Sequence, residues 1–414
     1  MARLFASVVC GLLAALSIPA CAADTPVGHS PEVSVSSPTR LDWVYALANQ
    51  SPAEPPARLL GNYDSTKQTY ELFVPEKYSP DKSWPVVLFV SPGNRAAGFR
   101  QWELVCRREQ IIFASPHAAG NNTPMPTRIR IVMDVLDDLR RRYNVDPDRT
   151  YIGGFSGGGR VACSIAFALP EHFGGVLPVC AGGELREESS LRKRVIDRLS
   201  VAQLTGESDF NRGECERLHQ TELSGVGVRC RTWVAPKTSH AIPNADIFAE
   251  AFEWLEAGLP DRQKLAKRWP TSSLKEAVSR EDWAALLLKE GQQRMQRRDT
   301  FHSGLMQIKS VYVRWNDLPT AKQAIEILTR AEQDPDQSWQ ADDVAEQRTF
   351  LIARVRAVDA YGSGPLPKQY EQQRESMLKA AIQLWGLVLQ DGQDQAAIAE
   401  AKRRIPQLEA SLKQ

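Results

Sequence analysis

A serine enclosed by glycines, between an apolar run and a helix, is the feature that most constrains how this chain folds. Residues 150–160 read TYIGGFSGGGR. The apolar start predicts a short strand, and the residues from Arg160 onward predict a helix. Gly154 and Gly158 lie two residues on either side of Ser156, where a Cβ would clash in a tight turn. The stretch therefore predicts a strand that ends in a strained turn with Ser156 at its apex.

The two glycines and the serine match the pattern G-x-S-x-G, in which the turn exposes the serine as a nucleophile. The pattern is short, and a glycine-rich turn before a helix also suits a bound phosphate. The nucleophile interpretation requires two further residues later in the chain, an acid and then a histidine. Their presence or absence decides between the two interpretations.

Apolar runs and amphipathic helical patterns alternate through the middle of the chain. The continuous apolar run at 85–90 is typical of a central strand buried on both faces. Further strands are expected at 69–74, 111–114, 150–155, 175–179, 201–205 and 226–234. Helices are expected at 101–108, 128–143, 159–169, 213–222 and 247–255. This alternation predicts an α/β fold, a mostly parallel sheet with helices on both faces and a site at the carboxyl ends of its strands.

The pattern changes after residue 258, where strand-like runs nearly vanish and amphipathic helical spacing dominates. Residues 310–313 are the exception, since Ser-Val-Tyr-Val reads as a strand. We expect five or six helices here, and stacked helix pairs are possible, although no 34-residue repeat is evident. The sequence thus predicts four parts: a signal peptide at 1–22, a linker at 23–40, an α/β catalytic domain at 41–260 and an all-helical C-terminal domain at 261–414.

The first residues have the pattern of a secretory signal. Arg3 is followed by a mostly apolar run to Ile18, and Ala20-Cys21-Ala22 matches a cleavage site. The run is short for a membrane span. The sequence therefore predicts export to the periplasm or beyond. The alternative is an outer-membrane lipoprotein anchored through Cys21, which would be the chain's membrane contact.

The charge of the chain is nearly balanced, with 51 Lys and Arg against 50 Asp and Glu, a net charge of +1. Such a balance offers no electrostatic basis for binding nucleic acid. The basic run Arg140-Arg141-Arg142 is matched by acids at helical spacing, Asp134, Asp137 and Asp138. These spacings predict a solvated helix face.

Five cysteines remain after the predicted signal: Cys106, Cys163, Cys180, Cys215 and Cys230. An odd number leaves at least one thiol unpaired within the chain. Cys215 and Cys230 are candidates for a disulfide, and the alternative is five small buried residues. No spacing among them suggests zinc, and we expect neither a metal nor a cofactor.

The candidate base and acid follow the serine in the required order. His240 lies in a loop between the last expected strand and the closing helix, from which it can reach back over Ser156. His117 is the main rival, but it precedes the serine. The candidate acid is Asp209, after the strand at 201–205, with Glu207 as the alternative. Ser156, Asp209 and His240 thus form a predicted catalytic triad.

The negative charge on a reacting carbonyl oxygen requires backbone N–H donors, an oxyanion hole. Gly157, directly after the serine, is the expected first donor. The second is expected from the loop after the strand at 85–90. Pro92 has no N–H, so Gly93 or Asn94 must supply it.

At this point the sequence resembles the secreted esterase branch of the α/β-hydrolases, which includes polyhydroxybutyrate depolymerases, feruloyl and acetylxylan esterases and prolyl-oligopeptidase-like hydrolases. The shared features are the strand at 69–74, the residues VDPDR at 145–149, GFSGG at 154–158, TGESD at 205–209 and His240. The resemblance covers about 65–257 and implies Ser156, Asp209 and His240 as nucleophile, acid and base. Two positions depart from it: Ser91-Pro92-Gly93 replaces a His-Gly pair, and Ser239 replaces a glycine before the base.

The resulting hypothesis is a secreted serine hydrolase that cleaves carboxylic esters through an acyl-enzyme. A serine peptidase is the first alternative, because the triad chemistry is common to both. The second is a degenerate fold that serves as a platform, with the helical C-terminal domain binding a protein partner. The substrate is open; Phe155 and Trp102 are candidates to line the cleft, and Arg160 to contact an acidic group.

Overall fold

The computed structural model describes residues 27–413 and contains one eight-stranded sheet in the order β1-β2-β4-β3-β5-β6-β7-β8. The strands are Gly28–Ser34 (β1), Thr69–Val74 (β2), Trp84–Val90 (β3), Ile112–Pro116 (β4), Val145–Phe155 (β5), Gly175–Val179 (β6), Ser200–Gly206 (β7) and Arg229–Ala235 (β8). β2 pairs antiparallel with β1 and β4, and all other neighbours are parallel. This is the sheet of the α/β-hydrolase fold, so the predicted fold class is confirmed.

Fourteen α-helices occur within residues 27–413. They are Ala57–Leu60 (α1), Phe99–Glu109 (α2), Met125–Arg142 (α3), Gly157–Ala168 (α4), Ser189–Arg198 (α5), Thr221–Gly225 (α6), Ala245–Glu256 (α7), Leu259–Arg268 (α8), Arg280–Met295 (α9), Phe301–Arg314 (α10), Pro319–Gln333 (α11), Trp339–Ser363 (α12), Arg374–Asp391 (α13) and Gln395–Ser411 (α14). A π-helix, Glu214–Gln220, leads into α6.

The central strand β3 is buried along its whole length because helices cover both faces of the sheet. Val86, Leu88 and Val90 pack with α3, α4 and α5 on one face. Val87 and Phe89 pack with α2 and α7 on the other. Side chains alternate between the two faces of a strand, and here both faces are apolar. This arrangement explains the continuous apolar run at 85–90.

The predicted linker at 23–40 is wrong for the residues from 28 onward. Gly28–Ser34 forms the edge strand β1, and the following backbone is bonded to carboxylates of α3. Asp138 accepts hydrogen bonds from the N–H and hydroxyl of Ser36, and Asp134 accepts one from the Thr39 N–H. The predicted solvated face is also wrong, since Asp134, Asp137 and Asp138 are fully buried. The sequence suggested solvent because it does not show which backbone groups satisfy these acids.

The strand predicted at 310–313 is wrong, because these residues lie within helix α10. Ile308, Val311 and Trp315 repeat at helical spacing and pack with Trp283 and Leu287 of α9. β-branched residues favour strands only weakly, and packing an amphipathic face outweighs that preference.

No flexible connection separates the sheet region from the helices that follow. Helix α8 runs across the predicted boundary at 260–261, and Arg262 on it is buried. The Arg262 guanidinium donates to the Asp148 carbonyl (2.9 Å) and to the Tyr151 hydroxyl (2.7 Å). Further along, the buried Arg314 of α10 lies 2.9 Å from Asp42 and 3.4 Å from Glu171. The helical region is therefore anchored to the sheet region by buried charges.

The predicted signal peptide at 1–22 and Cys21 lie outside the described residues. Within residues 27–413, no helix combines the length and the apolar character needed to cross a bilayer. All five cysteines of this part of the chain are free thiols, so the candidate pair Cys215 and Cys230 is not bonded. The five are Cys106, Cys163, Cys180, Cys215 and Cys230.

Candidate active site

The strained turn predicted at Ser156 is present between β5 and α4. Ser156 has φ 52° and ψ −122°, a left-handed conformation that is costly for a residue with a side chain. A Cβ on Gly154 would lie 2.6 Å from the Val90 carbonyl oxygen, and a Cβ on Gly158 would overlap the same oxygen. Both glycines are therefore required by the close approach of β3 to the turn. The turn thereby places the serine side chain at the carboxyl edge of the sheet.

The structure brings Ser156, His240 and Asp209 together in one hydrogen-bonded chain. His240 Nε2 lies 3.0 Å from Ser156 Oγ, and His240 Nδ1 lies 2.8 Å from Asp209 Oδ1. The three residues come from three loops at the carboxyl ends of β5, β7 and β8. Because parallel strands end at the same edge of a sheet, residues far apart in sequence meet there.

The Asp209 carboxylate is fixed by the loop that carries it. Its side chain is fully buried, Thr205 Oγ1 donates to Oδ2 (2.8 Å), and the Asn211 N–H donates to Oδ1 (3.0 Å). A carboxylate only accepts hydrogen bonds, so Nδ1 of His240 carries the proton that it shares with Asp209. Nε2 is then the free acceptor that faces the serine hydroxyl.

Glu207 and His117, the alternative acid and the alternative base, form hydrogen bonds away from Ser156. The Glu207 carboxylate accepts a hydrogen bond from the Lys237 N–H (2.8 Å). The Ala96 N–H donates to Nδ1 of His117 (3.0 Å), so His117 Nε2 carries the proton and donates to the Pro31 carbonyl (3.0 Å). Both nitrogens of His117 are thus occupied, and neither rival joins the chain at Ser156.

The loop after β3 lies against the turn and narrows the choice of the second oxyanion donor. The Gly93 N–H donates to the Ser91 hydroxyl (3.1 Å). The Asn94 N–H has no hydrogen-bond partner in the described part of the chain, and its carbonyl accepts from the Ala118 N–H (2.7 Å). Gly157 is the first residue of α4, where a backbone N–H has no partner within the helix. Gly157 and Asn94 therefore have N–H groups free for a ligand.

Asn121, in the loop after β4, was not predicted as a site residue. Its carboxamide lies against Gly157, where a Cβ would overlap Oδ1 and lie 2.8 Å from Cγ. The Asn121 N–H donates to the Pro92 carbonyl (2.8 Å), which ties this loop to the one after β3. The side chain is exposed and has no partner among residues 27–413. The sequence shows only an amide residue a few positions after the expected strand at 111–114, which does not single it out.

Aromatic side chains flank the histidine. The Phe210 ring stacks on the His240 ring at 4.1 Å, and the Phe155 ring lies at 5.0 Å and is tilted. Phe210 is 41% exposed, so an apolar surface is open to solvent beside the predicted base. Trp102, in contrast, is buried against Phe248 and does not line the cleft.

Arg160 is not free to contact an acidic group. Its guanidinium forms two hydrogen bonds to the Glu214 carboxylate, at 2.6 and 2.8 Å, and His219 Nε2 lies 2.9 Å from the same carboxylate. Burial alone would raise the pKa of Glu214, but His219 and Arg160 outweigh it and lower the pKa to about 2. The bidentate pair is a structural link between α4 and the π-helix.

Within residues 27–413, one group of side chains has a spacing that could hold a metal ion: Cys180, Asp209 and His240, with ligand atoms within 4.8 Å of one another. Burial raises the pKa of the Cys180 thiol, so this thiol is protonated at neutral pH. Asp209 and His240 are already bonded to each other. The chemistry that this arrangement favours is proton transfer from the serine.

No protein-family model and no curated protein matches the sequence. Solved structures with some similarity include a thermostable esterase, at 23% identity over 46% of this chain and 59% of the other, with a TM-score of 0.38. A feruloyl esterase module from Clostridium thermocellum has 13% identity over 47% and 82%, with a TM-score of 0.37. A poly(3-hydroxybutyrate) depolymerase from Bordetella parapertussis has 19% identity over 48% and 87%, with a TM-score of 0.34.

The chain spans about 59% of the length of the thermostable esterase. At this identity and these TM-scores, the similarities define neither a substrate nor a mechanism. The strand order and the strained turn are those of the α/β-hydrolase fold, and at this turn Ser156, His240 and Asp209 are arranged as a nucleophile, a base and an acid would be.

Proposed function

We propose that this protein cleaves carboxylic esters through a covalent acyl-enzyme on Ser156. The observation that carries the proposal is the hydrogen-bonded chain from Ser156 Oγ to His240 (3.0 Å) and from His240 to Asp209 (2.8 Å). A serine hydroxyl is a weak nucleophile unless a base is placed to remove its proton. His240 is placed as that base, and Asp209 as the acid that orients it.

In the first half of the reaction, Ser156 Oγ attacks the ester carbonyl carbon while its proton moves to His240 Nε2. Asp209 stabilises the resulting imidazolium through the Nδ1 hydrogen bond. The carbonyl oxygen becomes negatively charged and accepts hydrogen bonds from the N–H groups of Gly157 and Asn94. The tetrahedral intermediate then expels the alcohol, which receives the proton from His240.

In the second half, water attacks the acyl-enzyme. His240 Nε2 takes a proton from the water, and the same N–H groups stabilise the second tetrahedral intermediate. Collapse of this intermediate releases the carboxylic acid and returns the proton to Ser156. Every proton in the two half-reactions is therefore exchanged among Ser156, His240, the substrate and water.

Asn121 has a further role in this proposal. Its carboxamide lies beside Gly157, and its N–H₂ group has no partner among residues 27–413. We assign it as a side-chain donor to the developing oxyanion, in addition to the two backbone donors. Gly157 is then required in part because a side chain there would displace the Asn121 amide.

The experiment that tests the ester hydrolase is active-site labelling. A fluorophosphonate should add its mass to Ser156, and Ser156→Ala should lower the turnover of p-nitrophenyl acetate by about 10⁴-fold or more. His117→Ala serves as the matched control and should keep most of the activity. Both ring nitrogens of His117 are hydrogen-bonded to backbone groups away from Ser156, His240 and Asp209. Unchanged turnover by Ser156→Ala would overturn the proposal.

The bond that is cleaved needs a separate comparison. The exposed Phe210 ring beside His240 supports an ester with an apolar group next to the carbonyl. Turnover of short-chain, aromatic and polymeric esters is compared with that of peptides. If peptides are turned over faster by orders of magnitude, the serine peptidase replaces the esterase.

We also propose that the protein is exported, on the basis of Arg3, the apolar run and the cleavage pattern at Ala20-Cys21-Ala22. The mass of the protein recovered from the periplasm or the medium tests this. A chain that retains residue 1 in the cytoplasm would contradict export, and a lipid on Cys21 would establish the lipoprotein alternative.

A further inference from the structure

The turn after β6 is hydrogen-bonded to all three loops that carry the candidate active-site residues. The carbonyl of Val179, the last residue of β6, accepts a hydrogen bond from the Ser156 N–H (2.8 Å). The next residue is Cys180, and its N–H donates to the Leu204 carbonyl on β7 (2.7 Å). The backbone of this turn is therefore fixed to the ends of β5 and β7, the strands that precede Ser156 and Asp209.

Cys180 also connects the loop of the acid to the loop of the base. Its carbonyl accepts a hydrogen bond from the buried side chain of Asn211 (2.9 Å), whose own N–H donates to the Asp209 carboxylate. Its thiol donates to the carbonyl of Ala241 (3.5 Å), the residue directly after His240. One residue thus holds the backbone on both sides of the Asp209–His240 hydrogen bond.

The backbone of Cys180 has a conformation that a side chain disfavours. Its φ is 52°, in the left-handed region, as at Ser156. Such a conformation is costly for a residue with a side chain and persists only where the surroundings impose it. Glycine would adopt the same φ without that cost. The presence of a cysteine here indicates a role for its thiol.

The Cys180 thiol lies beside the acid and the base. The residue is fully buried, and Sγ lies within 4.8 Å of a carboxylate oxygen of Asp209 and a ring nitrogen of His240. Burial, and then the neighbouring Asp209 carboxylate, raise the pKa of this thiol, so it stays protonated and can donate. A thiol is a weak donor, but small displacements of a catalytic group lower the rate strongly.

We infer that Cys180 is a positioning residue for the acid and the base of the site. Its thiol fixes the loop of His240 and its carbonyl fixes the loop of Asp209, so that the two side chains meet at 2.8 Å. The inference rests on the proposed function, because the position of His240 matters only where this residue activates Ser156. Cys180 takes no part in bond formation and acts through His240.

The test compares Cys180→Ala with Cys180→Ser in the full-length protein. Alanine removes the donor, so the rate of fluorophosphonate labelling of Ser156 and kcat for p-nitrophenyl acetate should both fall roughly tenfold. KM should change less than about twofold, since the contacts with the substrate are retained. Serine keeps a donor and should recover most of the rate. A merely structural role would not produce this recovery or separate kcat from KM.

Cys106→Ala is the matched control, because the Cys106 thiol of α2 is equally buried but packs among apolar side chains. It should leave labelling and kcat within about twofold of the wild type. Circular dichroism shows whether each variant folds. Cys180→Gly, which adopts φ 52° without strain, replaces Cys180→Ala if the alanine variant does not fold.

Two results would overturn the inference while leaving the proposed function intact. One is a wild-type rate in Cys180→Ala, and the other is an equal loss in Cys180→Ala and Cys180→Ser. If the wild type is not labelled at Ser156, the proposed function fails and the inference fails with it.

Discussion

Among single residues, Asp209 and Glu207 show how little separates a catalytic acid from a surface carboxylate. They are two residues apart, yet only Asp209 faces His240, at 2.8 Å. Glu207 instead accepts a hydrogen bond from the Lys237 N–H. The difference arises from the turn after β7, in which the Thr205 hydroxyl and the Asn211 N–H both bond to Asp209. These two contacts point its carboxylate toward the histidine.

The first prediction concerns this pair. Asp209→Asn should lower kcat for ester hydrolysis by roughly 10³- to 10⁴-fold, since an amide cannot stabilise the imidazolium and favours the wrong tautomer of His240. Glu207→Gln is the matched control and should change kcat less than about threefold. Steady-state kinetics on p-nitrophenyl acetate measures both. A large loss in Glu207→Gln with little change in Asp209→Asn would reassign the acid.

The second prediction concerns Asn121. Asn121→Ala should lower kcat by about 10- to 100-fold with a smaller change in KM, because a donor to the oxyanion acts mainly in the transition state. Fluorophosphonate should still label Ser156, which separates this outcome from failure of the nucleophile itself. Asn122→Ala, at the exposed neighbouring residue, is the control. Equal kinetics in the two variants would remove Asn121 from the site.

Among the strands and helices, the turn at Ser156 depends on how closely β3, β5 and α4 approach one another. A Cβ on Gly153 would lie 2.6 Å from the Leu177 carbonyl oxygen on β6, and a Cβ on Gly158 would overlap the Val90 carbonyl oxygen on β3. These are contacts with backbone atoms, which cannot rotate away. Gly153, Gly154 and Gly158 are therefore required by packing between elements as well as by the conformation of the turn.

The third prediction compares two glycines. Gly158→Ala should lower the free energy of unfolding by roughly 3 kcal/mol or more, because the added methyl overlaps backbone. Gly386 lies in the exposed part of α13, and a Cβ there would meet no neighbouring atom within 4 Å. Gly386→Ala should raise the free energy of unfolding by about 0.5–1 kcal/mol through helix propensity. Urea unfolding measures both, and opposite signs are expected.

Across the whole chain, buried charges join the helical region to the sheet region. Glu171 is fully buried and faces Arg194 (2.8 Å) and Arg314 of α10 (3.4 Å). Burial would raise the pKa of Glu171, but Arg194 and Arg314 outweigh it and lower the pKa from 4.5 to about 2. A carboxylate with a lowered pKa stabilises the fold above its unfolded pKa. This contribution is lost as the pH falls from about 4.5 toward 2.

The fourth prediction follows from that charge. Arg314→Met should lower the free energy of unfolding at pH 7 by about 3–5 kcal/mol, since it leaves Glu171 and Asp42 short of a partner. It should also raise the pKa of Glu171, so the acid-dependent loss of stability begins at a higher pH than in the wild type. Urea unfolding between pH 7 and pH 3 measures both effects.

The control is Arg356→Met, in the largely exposed pair with Glu400. Exposed ion pairs contribute about 1 kcal/mol or less, so this variant should unfold almost as the wild type does. If Arg314→Met and Arg356→Met have the same small effect, the buried charges do not anchor the helical region. A fragment that lacks α9–α14 would lose Arg314 and leave the Glu171 carboxylate without this partner.

The α/β fold, the turn at Ser156 and the order of serine, acid and histidine could all be predicted from the sequence. These features depend on local signals: glycine spacing, apolar runs that alternate with helical periodicity, and loops that end at one edge of a parallel sheet. The helical character of the C-terminal region followed in the same way. Within that region, the strand predicted at 310–313 is wrong: these residues lie in α10, where Val311 is buried and Tyr312 is exposed, and the short β-branched run does not reveal the helix.

Only the folded structure shows which polar groups form hydrogen bonds with distant parts of the chain. Ser36 and Asp138 are 102 residues apart, and their hydrogen bond converts an expected linker into buried backbone. The approach of Asn121 to Gly157 is also non-local. The Ser91–Gly93 hydrogen bond is local, but only the structure shows that it forms and leaves the Asn94 N–H as the free donor. Burial and hydrogen-bond partners are properties of packing, and a sequence pattern records only the side chains that must find them.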